Sequence, residues 1–213
     1  MATINFNAIH IKVSRSPKMK LAALNVAKKQ VVRAKDKMLA AFDSHLVTKE
    51  IEGGPNAGNI SGTLNGYGNL FSFIGFYDGD RPTEYIREIL NRFTKIENNS
   101  ALYTRFSSKN TMTFGFRVRT PSLKEIEGVT EYPDSPPWND GSWAIDMEKK
   151  ISGSESYLYD EEFGTYSSSR STTGLQAKSG AKTIVIIRDD IFKPTEYLSP
   201  ILNMFAKNLG RIR

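Results

Sequence analysis

The sequence predicts an α+β domain in which an antiparallel or mixed β-sheet packs against a long N-terminal helix and a C-terminal helix, with extended loops or arms. Three observations predict this class: a long helical period near the N-terminus, two alternating segments in the middle, and a strand followed by a helix at the end. A chain of 213 residues can bury one substantial core. We therefore predict a single domain over 1–213, with a long loop or arm at about 166–182 and an irregular acidic connector at about 121–139.

The N-terminal quarter is expected to contain a strand and then a long helix. Residues 1–13 alternate polar and apolar side chains, which favours a strand over a signal peptide. In Lys18–His45 apolar residues recur every seven positions at Leu24, Val31 and Met38, which predicts an amphipathic helix about 40 Å long. Its lysines and arginines fall mostly outside the apolar stripe, so they form a solvated face or one that meets DNA or a neighbouring subunit.

The middle of the chain is expected to mix loops, strands and one helix. Glycine, proline and asparagine predict a loop over Lys49–Ser61, and the apolar run 69–76 is interpreted as an aromatic strand. A proline-initiated apolar stripe predicts a helix over 80–93. The alternating segments 101–106 and 111–120 predict a β-hairpin.

The C-terminal part begins after the acidic connector with a short helix from about 142 to Ile151. Two strands, at about Tyr157–Tyr166 and Lys182–Arg188, are expected to flank an arm rich in serine, threonine and glycine. A final helix closes the chain, with Pro200 in its first turn, where proline is tolerated.

Charge is distributed unevenly along the chain. Residues 1–50 carry ten Lys/Arg and three acids, residues 51–120 eight and six, residues 121–165 three and eleven, and residues 166–213 eight and three. The acidic block thus lies between basic ones in a chain of net charge +6. Opposite charges on one molecule favour head-to-tail association between copies, whereas a DNA-reading domain is more often basic throughout its contact element.

The sequence gives little support for catalysis. It has no cysteine, and its two histidines, His10 and His45, stand far apart, which disfavours thiolate chemistry, a His-based triad and a two-His metal site. Its serines and threonines form no nucleophile elbow. One cluster of acids lies on predicted loops and a helix rim without a signature spacing: Asp134, Asp140, Asp146, Glu148, Asp160, Glu161 and Glu162. We expect no enzyme, metal or cofactor, and no membrane span, because no apolar run is long enough.

Two short phrases near the C-terminus follow a recognisable order. A helix is followed by a strand ending in Glu-Phe-Gly-Thr, then a variable loop, a hydrophobic strand and a proline-containing phrase that opens the last helix. The residues concerned are Glu162, Phe163, Gly164 and Thr165 in the first phrase, and Pro194, Tyr197, Leu198 and Pro200 in the second. Over about 140–210 the chain resembles the minor tail, or tail-completion, family of long-tailed bacteriophages.

The resemblance implies a structural virion protein that forms a ring at the neck or head-proximal end of the tail, as a tail-completion or terminator protein or a head–tail connector. It implies assembly in the host cytoplasm, a homo-oligomer of six or twelve copies, contacts with other connector, neck and tail proteins, and non-specific contact with genomic DNA in the lumen. The candidate subunit or partner contacts are Glu162, Phe163, Gly164, Thr165, Ser169, Thr172, Gly174, Trp138 and Trp143. The candidate lumen contacts are Arg170, Lys178 and Lys182, for which ordinary loop charge is an equal alternative.

Two other functions stay open on the sequence. The basic N-terminal helix suits a non-specific DNA-binding module, whose affinity would depend steeply on salt. The acid cluster suits a hydrolase, although its residues lie on predicted loops rather than on rigid elements.

Overall fold

A computed structural model gives the structure of this chain and describes residues 16–65, 69–97, 103–106, 112–128, 142–149, 157–158, 175–176 and 193–210. These residues are mostly helical, with a long N-terminal helix and short antiparallel strand pairs. The α+β class is therefore confirmed at a coarse level. The described strands form separate two-stranded pairs, so a larger sheet packed against the helices is not seen among them.

The elements follow in chain order. The helices are α1 Pro17–Ser44, α2 Leu46–Glu52, α3 Leu70–Ile74, α4 Pro82–Phe93, α5 Leu123–Gly128, α6 Trp143–Lys149 and α7 Leu198–Gly210, with a 3₁₀ turn at Gly54–Asn56. The strands are β1 Lys95–Ile96, β2 Tyr103–Phe106, β3 Met112–Gly115, β4 Val118–Arg119, β5 Tyr157–Leu158 and β6 Leu175–Gln176. No helix among the described residues is long and apolar enough to cross a membrane.

Helix α1 is the axis of the core, as its seven-residue period predicts. Val31, Ala34, Met38, Leu39 and Phe42 are its buried residues, and α7 packs along this stripe. Helix α4 lies on another side of α1, where the Arg87 guanidinium makes a two-pronged ion pair with Asp43 at 2.9 and 3.2 Å, and Lys35 Nζ donates to the Asn91 carbonyl at 3.3 Å. These two contacts show that α1 and α4 run antiparallel.

The predicted aromatic strand over 69–76 is wrong, because α3 occupies this segment. The Asn69 side chain caps α3 by accepting a hydrogen bond from the Ser72 N–H at 2.9 Å, and Gly75 ends it in the left-handed region at φ 90°. Helix α2 also shortens the predicted loop, which begins at Gly53 rather than at Lys49.

The predicted hairpin is confirmed in its first part. Strands β2 and β3 pair with Phe106 opposite Met112, but the second segment is interrupted at Phe116 and its continuation, β4, pairs with β1 instead. Strand β5 pairs with β6. Since Leu175–Gln176 lies inside the predicted arm, the arm contains a short strand, and Lys182–Arg188 lies outside the described residues.

The acidic connector is not irregular at its start, because α5 begins there with a capping box. The Glu125 N–H donates to Ser122 Oγ at 3.2 Å, and the Glu125 carboxylate accepts from the Ser122 N–H at 2.9 Å. That backbone hydrogen bond, with one from Arg119 at 2.6 Å and one from the Ser122 hydroxyl, lowers the pKa of Glu125 to about 2. The rest of the connector, 129–139, lies outside the described residues.

Helices α6 and α7 close the core around Tyr197. The Tyr197 ring stacks on Phe42 at 5.7 Å between centroids and lies 6.0 Å from Trp143. Its hydroxyl shares a 2.8 Å hydrogen bond with Thr48 Oγ1, and burial raises the pKa of Tyr197 well above its usual range. The Glu148 carboxylate, on α6, accepts hydrogen bonds from the backbone N–H groups at the start of α7. The final helix is therefore held by these hydrogen bonds as well as by the packing of Tyr197.

Candidate functional site

The first half of α1 extends past the core. Residues 17–30 include no buried residue, whereas the second half supplies the central stripe of the core. The apolar side chains of Met19, Leu21 and Val26 are 42%, 58% and 56% exposed. We call residues 17–30 the free half of α1, because none of them is fully buried, although Ala23, Leu24, Ala27 and Gln30 are partly covered. These three side chains leave apolar surface available for contact with another chain.

The free half and the turn that follows it are strongly basic. Residues 17–33 hold five cations and no carboxylate. These exposed cations are Lys18, Lys20, Lys28, Lys29 and Arg33. None of them takes part in an ion pair within the described part of the chain, where the four ion pairs involve Arg81, Arg87, Arg117 and Arg119. The positive end of the α1 macrodipole adds to the same field.

An acidic cleft lies where α2 ends and α4 begins. Its volume is about 420 Å³, and the carboxylates at its rim belong to Glu52, Asp78, Asp80 and Glu84. An adjoining depression of about 450 Å³ shares Asp80 and Glu84 and extends to Glu88. Among the described residues that line either part, the one cation is Arg81, whose guanidinium lies 3.3 Å from the exposed Glu84 carboxylate. We use "acidic cleft" for this whole surface.

The local sequence dictates how the cleft is formed. Helix α2 ends at Gly53, a short 3₁₀ turn containing Pro55 follows, and Pro82 starts α4 at its first helical position, so two backbone turns face each other. The Asp80 carboxylate fixes the second turn by accepting the Tyr77 N–H at 2.6 Å. Thr83 Oγ1 donates to Glu52 Oε1 at 3.4 Å and links the two sides.

A buried carboxylate supports the first turn from inside. Glu50 is 0% exposed, and its two oxygens accept from Asn59 Nδ2 at 2.9 Å and from the N–H groups of Ser61 and Leu70 at 2.8 Å each. These hydrogen bonds satisfy the buried carboxyl oxygens and hold residues 53–70 against α2. Glu50 therefore has a structural role.

Most of the predicted contact residues lie outside the described residues. This applies to Glu162, Phe163, Gly164, Thr165, Ser169, Thr172, Gly174, Trp138, Arg170, Lys178 and Lys182. Trp143 is described and corrects one expectation, since its side chain is 1% exposed and packs in the core, edge-on to Phe76 at 5.7 Å between centroids. Burial thus gives Trp143 a core position rather than a surface contact.

Of the two described acids of the proposed hydrolase cluster, Glu148 makes structural hydrogen bonds. Glu148 is committed to the start of α7, where its oxygens accept from the Ser199 N–H at 2.6 Å and from the Ser199 hydroxyl. Asp146 lies in the first turn of α6. No group of three or more histidine or acidic side chains among the described residues is arranged to hold a metal ion.

The site contains residues that the sequence analysis missed. Asp78, Asp80, Glu84 and Glu88 lie in a block of residues with a net charge of only +2, so the block's average concealed a local acidic surface. A usable signal was the spacing of these acids around Pro82, because the first turns of a helix bring residues 3–4 apart onto one face.

Comparisons of the chain with protein-family models, curated proteins and solved structures find no match.

Proposed function

We propose that this chain is a structural assembly subunit that forms a ring at the neck or head-proximal end of the tail of a long-tailed bacteriophage, joining head to tail. The observation that carries the proposal is the free half of α1. Its Leu24 and Ala27 continue the stripe of Val31, Ala34 and Met38 beyond the core at helical spacing. A helix that presents an apolar stripe past its own core provides a surface for another protein chain.

The C-terminal part of the structure supports the link to tail-completion proteins. In the resemblance, a proline-containing phrase opens a final helix, and here Leu198 begins α7 with Pro200 in its first turn. Tyr197 of the same phrase is buried and anchors that helix to α1 and α6. The structure therefore gives each of these residues a role: Tyr197 fills the core, and Pro200 suits the first turn of the helix.

The proposal includes partners and location. The chain would assemble with copies of itself, as a ring of six or twelve, and with other connector, neck and tail proteins in the host cytoplasm before residing in the virion. Genomic DNA passing through the lumen would meet basic side chains without sequence preference. The proposed role requires neither catalysis nor a cofactor.

The test is the oligomeric state of the full chain together with its presence in particles. We expect native mass spectrometry to detect a closed oligomer, formed alone or upon addition of the adjoining neck protein, and we expect purified virions to contain the chain. A protein that stays monomeric under all these conditions and never enters virions would refute the proposal.

A second candidate function, non-specific DNA binding, is favoured by one observation: the five exposed cations of residues 17–33 have no acidic neighbour in that stretch of sequence. If this function is correct, the logarithm of the binding constant for duplex DNA falls steeply and linearly with the logarithm of salt concentration. A weak affinity that changes little with salt would count against it.

A further inference from the structure

We propose that the free half of α1 of one copy docks against the acidic cleft of a second copy, so that copies associate head to tail. This inference rests on the proposed function and specifies the contact by which subunits of the assembly recognise one another. The partner that binds the free half is thus a second copy of this chain, which contacts it with its Asp78–Glu88 surface.

The two surfaces lie at opposite ends of the same long helix. Arg87 of α4 is paired with Asp43 in the last turn of α1, and α4 begins close to Glu52, which receives a hydrogen bond from Thr83. The acidic cleft is therefore at the C-terminal end of α1. The free half is its N-terminal end, and the 28 residues of α1 span about 42 Å. One copy cannot bring its own free half to its own cleft without abandoning the core of α1.

Charge complementarity identifies the partner. The free half and Arg33 present exposed cations and no carboxylate, whereas the described residues that line the cleft include five carboxylates and one guanidinium, that of Arg81. Arg87, the other cation in this part of α4, is already paired with Asp43. Matching of opposite potentials steers encounter and excludes the like-charged arrangements, free half to free half and cleft to cleft.

Apolar contacts accompany the charges at both ends. Met19, Leu21 and Val26 are exposed on the free half, and the Tyr77 side chain, 52% exposed, adjoins Asp78 at the cleft. This matters because exposed ion pairs alone contribute little to binding free energy. Buried apolar area at the centre with charged residues at the rim is the usual composition of a specific protein interface.

A head-to-tail contact of this kind has a geometric consequence. Because the two surfaces differ, each copy that binds one neighbour still presents its other surface to the next copy. Such heterologous contacts generate a closed ring where the rotation between copies closes, and an open filament where it does not. A single chain therefore supplies both sides of every subunit contact.

Charge reversal tests the contact with full-length chains. The helix variant carries Lys18→Glu, Lys29→Glu and Arg33→Glu, three exposed positions on the side of α1 away from its buried stripe. The cleft variant carries Asp78→Lys, Glu84→Lys and Glu88→Lys, all exposed.

A matched control variant carries Lys49→Glu, Lys124→Glu and Lys207→Glu. These positions are also exposed and the variant has the same net charge as the helix variant, but they lie outside both surfaces. Far-UV circular dichroism and melting temperature establish that each variant folds.

Sedimentation velocity at low salt then gives the association of each protein. The wild type and the control variant associate; the helix variant and the cleft variant each associate at least about tenfold more weakly, because like charges now face each other. An equimolar mixture of the two reversed variants regains association, since the acidic helix of one meets the basic cleft of the other. Raising the salt to about 1 M, where the Debye length is about 3 Å, weakens wild-type association.

Three results would overturn the inference: reversed variants that associate as the wild type does, a mixture that fails to regain association, or a wild type that is monomeric at low salt. Binding to a fluorescent DNA duplex is measured in parallel. If the helix variant loses DNA binding and keeps self-association, the free half serves DNA and the inference is wrong. Incorporation into virions is scored separately, so a chain found in particles whose oligomer is insensitive to these reversals keeps the proposed function and rejects only this contact.

Discussion

The link between α6 and α7 provides the sharpest test of the described core, and Glu148→Ala is the change that breaks it. In the structure the Glu148 carboxylate accepts the N–H groups of Tyr197 at 3.3 Å and of Ser199 at 2.6 Å, together with the Leu198 N–H and the Ser199 hydroxyl. It thus serves four donors at the first turn of α7, whose N–H groups have no partner within the helix.

The magnitude follows from those contacts. A hydrogen bond to a charged group contributes roughly 1.5–3 kcal/mol to the free energy of unfolding. Because Glu148 is half-buried, water can hydrogen-bond some of the donors when the side chain is removed, which reduces the net loss. Loss of an N-terminal cap costs about 1 kcal/mol and the lost charge at the helix dipole about 0.3–1 kcal/mol. We expect Glu148→Ala to lower the free energy of unfolding by about 3 kcal/mol. In a chain of this size that corresponds to a melting temperature lower by roughly 6–12 °C.

Thermal unfolding followed by circular dichroism measures this change. Glu148→Gln keeps one acceptor oxygen and loses the charge, so its destabilisation is expected to be about half as large. Glu88→Gln, on an exposed face of α4, is the matched control and changes stability by less than about 0.5 kcal/mol. If Glu148→Ala and Glu88→Gln have the same melting temperature, the Glu148 carboxylate does not hold α7 in place.

Four further outcomes follow from the structure and the sequence. Phe42→Ala, at a 0% exposed core position, is expected to cost about 3–5 kcal/mol in urea unfolding, whereas Leu21→Ala on the free half changes stability by less than about 0.5 kcal/mol; equal costs would contradict the assigned burial. Gly75→Ala places a Cβ at φ 90° and is expected to cost about 1–2 kcal/mol, so an unchanged melting temperature would contradict the left-handed helix end. Burial lowers the pKa of His45 below its usual 6.5, and a hydrogen bond to the Glu196 backbone opposes this shift, so the unfolded chain binds the proton more readily. The stability contribution of His45 is complete above about pH 6.5 and declines as pH falls below it, and His45→Asn, which keeps a capping acceptor, should remove that part of the decline. Deleting Ser168–Gly180 should leave the helical signal and cooperative melting in place while ring or particle assembly fails; normal assembly of the deleted chain would contradict a contact role for the arm.

The long helices were predictable from the sequence because their packing repeats with the helical period. Helix α1 was expected over Lys18–His45 and is found over Pro17–Ser44, and α4 begins at Pro82 as expected. In α7 Ile201 and Phe205 are buried and Leu202 and Leu209 partly buried, as the apolar stripe indicates.

Short elements were harder to predict, for a physical reason. The run 69–76 is short and mostly apolar, with Asn69 and Ser72 as its polar side chains, and such a run has no clear period to separate a buried helix from a strand. Its local signals, Asn69 as the cap and Gly75 at the end, were the better guide. The same holds for α5, where Ser122 and Glu125 have capping-box spacing within a segment interpreted as irregular.

The candidate site was predictable in one half only. The basic face of α1 follows from its helical period. The exposure of residues 17–30, however, depends on how far α7 and α4 extend along α1, which is set by tertiary packing. The acidic cleft depends on the pairing of Arg87 with Asp43, which removes a cation from the acids around it. Counting charges along the sequence does not reveal that Arg87 pairs with Asp43 in the folded chain.

Electron microscopy tests the proposed role as a ring-forming subunit at the neck or head-proximal end of a phage tail. Tailed particles are assembled with an affinity-tagged copy of the chain and labelled with gold. We expect label at the junction of head and tail, with a closed ring of six or twelve subunits in averaged images. Particles that join head to tail normally and carry no label would contradict it.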